Sequence, residues 1–186
     1  ENIRYIEPIV LKNEGEYKLS IFALDNVGNK EDEISRTIIV DITPPLSHLD
    51  IEGDKFENIV SGRSSLSIKS IDALGVKQTF YSIDSSKIIL YTKSIKTATL
   101  SEGDHTIHWY SIDEVDNVEA PKSFTFYVDK TPPMVFEEVT GNTYMVAGKE
   151  YSSGRSQLKI AAVDNKAGVK EIEYSLNNSE YKLYEK

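Results

Sequence analysis

Apolar and polar residues alternate along most of this chain. Ile107, Trp109 and Ser111 fall on one side of a stretch whose other side carries Thr106 and His108, and Phe124, Phe126 and Val128 repeat the spacing further on. Leu158, Ile160 and Ala162 do the same, as do Leu66, Ile68 and Ser70. A period of two marks a strand with one buried face, and no segment sustains the period of a helix. Between Pro44 and Asp129 the pattern and its turn residues predict strands near 46–51, 55–60, 65–72, 76–83, 87–92, 105–112 and 123–129. The inward positions predict a core of Trp109, Ile107, Leu66, Ile68, Tyr81, Phe124 and Phe126.

The pattern is written more than once. Residues 14–45 and 102–133 align without a gap, 88 apart, pairing Gly15 with Gly103, Asp25 with Asp113, Asn29 with Asn117 and Pro44 with Pro132. The stretch "SGRSSLSIKSIDALGVKQTFYSID" returns as "SGRSQLKIAAVDNKAGVKEIEYSLN", shifted by 92 residues and then by 93 after one insertion. Residues 1–5 echo 87–91. A unit of about 90 residues with seven short strands reads as an immunoglobulin-like sandwich, so the expected fold is all-β, in tandem modules. The boundaries follow from "VDITPP" and "VDKTPP": proline cannot donate to a sheet ladder and keeps the preceding residue extended, so the pair ends one strand and stiffens a joint. Residues 44–131 are expected to form one complete repeat, 1–43 the C-terminal part of another, and 132–186 the N-terminal part of a third.

Charge and composition narrow the function. Lys and Arg total 21 against 30 Asp and Glu, a net charge of −9, which disfavours nucleic acid and anionic membranes. No apolar run is long enough to span a bilayer, and residues 1–20 lack the pattern of a signal peptide, so the sequence reads as an excised piece. The absence of cysteine excludes disulfides, thiol nucleophiles and cysteine-ligated metal, but not secretion.

The runs "EGDHTIHWYSIDEVDNVEAPKSFTFYVDKTPP", "GVKQTFYSID" and "GVKEIEYSLN" carry a family likeness. Over nearly its whole length the chain resembles bacterial Ig-like repeats of the form G-H-T-x-x-Y-x-S-x-D-x-x-G-N followed by V-D-x-T-P-P. Such repeats occur in spirochaete outer-membrane proteins and beside extracellular carbohydrate-active enzymes. The resemblance implies a bacterial cell-surface or secreted setting and a structural role for the motif residues. Asp116 stands where the family, and Gly28 in this chain, have glycine, which weighs against a left-handed turn there.

Candidate chemistry is sparse. His48, His105 and His108 have no counterparts in the second copy and read as surface or packing residues, and no nucleophile elbow, zinc-protease motif or phosphate loop appears, so no enzyme is expected. Phe80 and Tyr110, out of phase with Tyr81 and Trp109, are the candidates for stacking on a sugar ring. Arg63 and Arg155, in two copies of "SGR", are expected to tie to an acidic loop. Asp41, Asp72, Asp113, Asp116 and Asn117 are expected to converge at the first joint, and Asp129, Asp164 and Asn165 at the second. There they serve as turn caps or, in the alternative, as oxygen ligands for Ca²⁺.

The expected function is that of a non-catalytic extracellular spacer or adhesion module of a bacterial surface or secreted protein. Its expected partners are other copies of the repeat, through strand exchange, and a host matrix protein or glycan. The alternatives are an accessory carbohydrate-binding region of a glycan-active enzyme and a strand-exchanging filament subunit.

Overall fold

A computed structural model describes residues 7–185 of the 186; the echo at residues 1–5 lies outside them. The chain is all-β, and among the described residues the one helical turn is a 3₁₀ segment at Thr97–Thr99. The first hairpin consists of β1 (Gly15–Ile21) and β2 (Ile34–Val40), antiparallel from Gly15 opposite Val40 to Ile21 opposite Ile34.

The middle of the chain supplies β3 (Leu46–Glu52), β4 (Lys55–Phe56), β5 (Ile59–Ser61), β6 (Ser65–Ile71), β7 (Val76–Ile83), β8 (Ile89–Leu90), β9 (Ile95–Lys96), β10 (Gly103–Asp113) and β11 (Lys122–Asp129). They form a three-stranded sheet, β3-β6-β9, and a six-stranded sheet, β4-β5-β11-β10-β7-β8. This is the sandwich class of all-β fold. The remaining strands are β12 (Met134–Thr140), β13 (Thr143–Val146), β14 (Lys149–Ser152), β15 (Gln157–Val163), β16 (Glu173–Tyr174) and β17 (Lys182–Leu183), paired as β12-β15, β13-β14 and β16-β17.

By contacts the chain divides into two compact units. Of the described residues, one holds those up to Asp50 with Ile68–Lys93 and Ile107–Ser123, and the other Ile51–Ser67, Ser94–Thr106 and those from Phe124 on. In the first, Ile68, Ile107 and Trp109 are buried. In the second, Val60, Leu66, Ile95, Phe126 and Val128 are buried, and Phe126 stacks on Phe124 with ring centroids 6.2 Å apart. Burying side chains of this size contributes roughly 1.5–3 kcal/mol each.

Some expectations need correction. Tyr81 and Phe124 are half-buried rather than core residues. Tyr81 packs edge-on against Tyr91, whose hydroxyl accepts a hydrogen bond from the Ile68 amide at 3.1 Å, so the ring end stays near a polar atom. The expected strand at 55–60 breaks into β4 and β5 because Glu57 turns the chain at φ 54°. The strand near 87–92 shrinks to Ile89–Leu90, and β9 was not anticipated. Asp116 does take the left-handed conformation, at φ 69°, matching Gly28 at 89°. The turn around it is closed by three hydrogen bonds to Asp113, which hold Asp116 where glycine would sit unaided.

Candidate functional site

In the first unit, the turn after β10 is built on one carboxylate. Asp113, fully buried, accepts hydrogen bonds at Oδ1 from the amides of Val115 (2.9 Å) and Asn117 (2.8 Å), and at Oδ2 from Asn117 Nδ2 (2.7 Å). Burial pushes its pKa up, but the bonds from Asn117, Val115 and Asp116 outweigh it and hold the carboxyl below its usual value. Asn117 Nδ2 also donates to the backbone oxygen of Asp41 at 3.2 Å, tying the turn to the segment that follows β2. Asp41 Oδ1 accepts from the Thr43 amide at 2.9 Å, and Asp72 Oδ1 accepts from the amides of Leu74 (2.9 Å) and Gly75 (3.2 Å).

Carboxylate oxygens of Asp41, Asp72 and Asp113 all lie within 4.8 Å of one another. Asp41 Oδ2 is buried and has no hydrogen-bond partner. Three negative groups at this spacing repel one another, and a hard cation with oxygen ligands relieves that repulsion. Asn117 joins the cluster as a donor rather than a ligand. Asp116 does not join it: its Oδ1 pairs with Lys77 Nζ at 2.6 Å, a contact that raises the lysine's pKa.

Two polar clusters in the same unit, one buried and one half-buried, escaped sequence reasoning. Trp109 Nε1 donates to Ser47 Oγ (2.9 Å), which donates to Glu119 Oε2 (2.5 Å), while the Ser47 amide reaches Glu119 Oε1 at 2.8 Å. Lys122 Nζ pairs with Glu119 at 2.6 Å and donates to the Ser47 carbonyl. The second cluster is a triangle of hydroxyls, Ser70–Ser111 (2.7 Å), Thr79–Ser111 (2.9 Å) and Ser70–Thr79 (3.1 Å). Alternation marked Ser111 and Ser70 as inward positions but said nothing about what faced them.

In the second unit, Asp129 Oδ1 accepts from the Thr131 amide (3.1 Å) and Oδ2 from the Ala167 amide (3.2 Å). Asp164 Oδ1 accepts from the amides of Lys166 and Gly168, both at 2.9 Å, and Asn165 donates to Glu102 at 3.3 Å. Ala167 lies in the turn that is one residue longer than its counterpart after Asp72. The extra amide satisfies Asp129 Oδ2, the atom whose counterpart in Asp41 has no partner. Arg63 Nη2 pairs with Asp54 at 2.9 Å on the surface, and the Arg63 and Arg155 amides donate to Ser61 and Ser153.

His105 is buried, with Nε2 3.0 Å from the Ser101 carbonyl; His108 is exposed, and exposed His48 lies 3.7 Å from Asp50. Phe80 and Tyr110 are cross-strand partners, stacked at 5.4 Å and half-buried. A groove of about 1240 Å³ in the second unit is lined by Phe56, Ile59, Lys130, Pro132, Val169 and Lys170, among others. Among the described residues no helix is long and apolar enough to cross a membrane. Compared with known proteins, the chain matches no family model and no curated relative.

Proposed function

We propose that this chain is a non-catalytic section of tandem Ig-like modules that acts as a spacer, and as an adhesive display surface, in a bacterial surface or secreted protein. The observation that carries the reading is the bond from Asn117 Nδ2 to the Asp41 carbonyl, 76 residues away, by which a turn grips the linker just before Pro44-Pro45. A linker gripped this way, and stiffened by two prolines, transmits orientation from one module to the next.

Recurring local bonds support the tandem reading. Thr43 Oγ1 donates to Glu14, and 88 residues on Thr131 Oγ1 donates to Glu102. Asp25 holds the Val27 and Asn29 amides as Asp113 holds those of Val115 and Asn117. The Ile160 amide meets Tyr184 Oη as the Ile68 amide meets Tyr91. Strand orders β3-β6-β9 and β11-β10-β7 fit the A-B-E and G-F-C orders of an Ig-like sandwich. Glu119 supports the non-catalytic reading, since its carboxylate is engaged by Ser47 and Lys122.

A second feature, a divalent cation at the first joint, is favoured by the buried, unpartnered Asp41 Oδ2 and by the convergence of Asp41, Asp72 and Asp113. Ca²⁺ bound there would draw on these carboxylates and stiffen the linker further. Amide hydrogen exchange tests the spacer reading. The Thr43 and Thr131 amides are expected to exchange slowly, with Asn117→Ala accelerating Thr43 and leaving Thr131 alone; free-peptide rates at both would sink it.

A further inference from the structure

The hairpin β1-β2 and the strands β12 to β17 carry apolar residues that stay exposed among the described residues. Ile21 is 49% exposed, Ile34 55%, Val135 57% and Leu158 47%. Unpaired edges and uncovered apolar faces of this kind recruit a partner. The chain itself holds the template for that partner. β1 and β2 correspond, 88 residues on, to β10 and β11, which in the middle of the chain are hydrogen-bonded to β7 and β5. β16 and β14 correspond to β7 and β5, shifted by 93 and 92 residues, and among the described residues neither has such a neighbour.

The replacements in the two sets are correlated. The hydroxyl triangle Ser70, Thr79 and Ser111 has the counterparts Ala162, Ile172 and Ala23, so all three hydroxyls are gone together. Two of those counterparts lie in the C-terminal set and one in the N-terminal hairpin. Trp109, Ser47 and Lys122, three of the four members of the other polar network, have the branched aliphatic counterparts Ile21, Val135 and Ile34. Losing one member of a hydrogen-bonded group costs its neighbours a partner, whereas replacing all of them by apolar groups is nearly neutral. Such a concerted change is what two sets of strands need when they share one core. Glu31 remains at the place of Glu119, and its carboxylate is the polar cost of that core.

Building on the repeat reading above, we propose that the partner is a second copy of this chain, whose β1-β2 hairpin completes the β12–β17 half of the first. The register follows from the template. Ile107 opposite Ile83 and Trp109 opposite Tyr81 place Leu19 opposite Leu176 and Ile21 opposite Tyr174, antiparallel. Tyr127 opposite Ile59 places Ile39 opposite Tyr151, parallel. The contact is head-to-tail, so it closes into a reciprocal pair or a ring where the rotation between copies allows and propagates into open chains where it does not.

Cross-linking reads this register directly because the chain has no cysteine of its own. The intact chain carrying Leu19→Cys is mixed with a tagged chain carrying Leu176→Cys under mild oxidation, and a Ser20→Cys chain with the same partner serves as the one-residue slip. The expected result is a mixed disulfide dimer at least about tenfold more abundant for the Leu19 pair, since cross-strand Cβ atoms lie within disulfide reach only in register. Equal yields for the two pairs, or no mixed dimer, overturn the proposal, as does a Leu19→Cys, Leu176→Cys double variant that closes only on itself. Sedimentation of the unmodified chain gives a second reading: the average mass is expected to climb above 20.9 kDa with concentration, and a constant 20.9 kDa overturns exchange. Slow exchange at Thr43 alongside that monomer would leave the spacer reading standing, so the two failures are distinct.

Discussion

The indole Nε1 of Trp109 donates to Ser47 Oγ at 2.9 Å, joining the largest core side chain to a buried carboxylate network. Trp109→Ala removes both the packed ring and the donor and is expected to cost about 3–5 kcal/mol in urea unfolding followed by circular dichroism. Trp109→Phe keeps most of the apolar bulk and is expected to cost less. Equal costs would mean the ring is not packed as described.

Glu119 makes part of this stability pH-dependent. Burial alone would raise its pKa, but Lys122 and the Ser47 hydroxyl and amide outweigh it and lower the value. A carboxylate with a depressed folded pKa stabilises the fold above its unfolded value, about 4.3, and that contribution is lost as pH falls through the folded pKa. Stability is expected to drop below about pH 4, and Glu119→Gln to flatten that acid limb while costing about 1.5–3 kcal/mol at neutral pH. An unchanged acid limb in the variant would count against the network.

The hydroxyl triangle predicts non-additivity. Ser111→Ala alone leaves Ser70 and Thr79 short of a partner and is expected to cost about 1–3 kcal/mol. Ser70→Ala, Thr79→Ile and Ser111→Ala together reproduce the combination at Ala162, Ile172 and Ala23, and are expected to cost less than the three single changes summed. Strict additivity would show that the hydroxyls act independently.

Asp116 sits at φ 69° and pairs with Lys77 at the surface, where ion pairs contribute little. Asp116→Gly removes the left-handed strain and is expected to leave stability unchanged or raise it by up to about 1 kcal/mol. A loss larger than that, in thermal or urea unfolding, would show that the Lys77 pair matters more than the backbone.

At the first joint, millimolar Ca²⁺ is expected to raise the melting midpoint of the intact chain relative to chelator, and Asp41→Ala or Asp72→Ala to abolish the rise. The same midpoint with and without Ca²⁺ would leave the three carboxylates as turn caps alone.

Much of the strand layout was legible in the sequence because side-chain direction along a strand has a period of two, and period and register are local properties. The inward positions of Leu66, Ile68, Ile107, Trp109 and Phe126 followed from alternation alone, and each is buried. The Asp113 to Asn117 turn was legible too, because a carboxylate that caps its own backbone needs nothing beyond four residues. Tertiary structure decided what alternation cannot carry. Glu119 is buried because Ser47, 72 residues away, meets it with two donors. Asp41, Asp72 and Asp113 converge while Asp116, three residues past Asp113, turns to Lys77. Whether a charge is buried or solvated depends on which groups from distant strands surround it, and a one-dimensional pattern does not encode that neighbourhood.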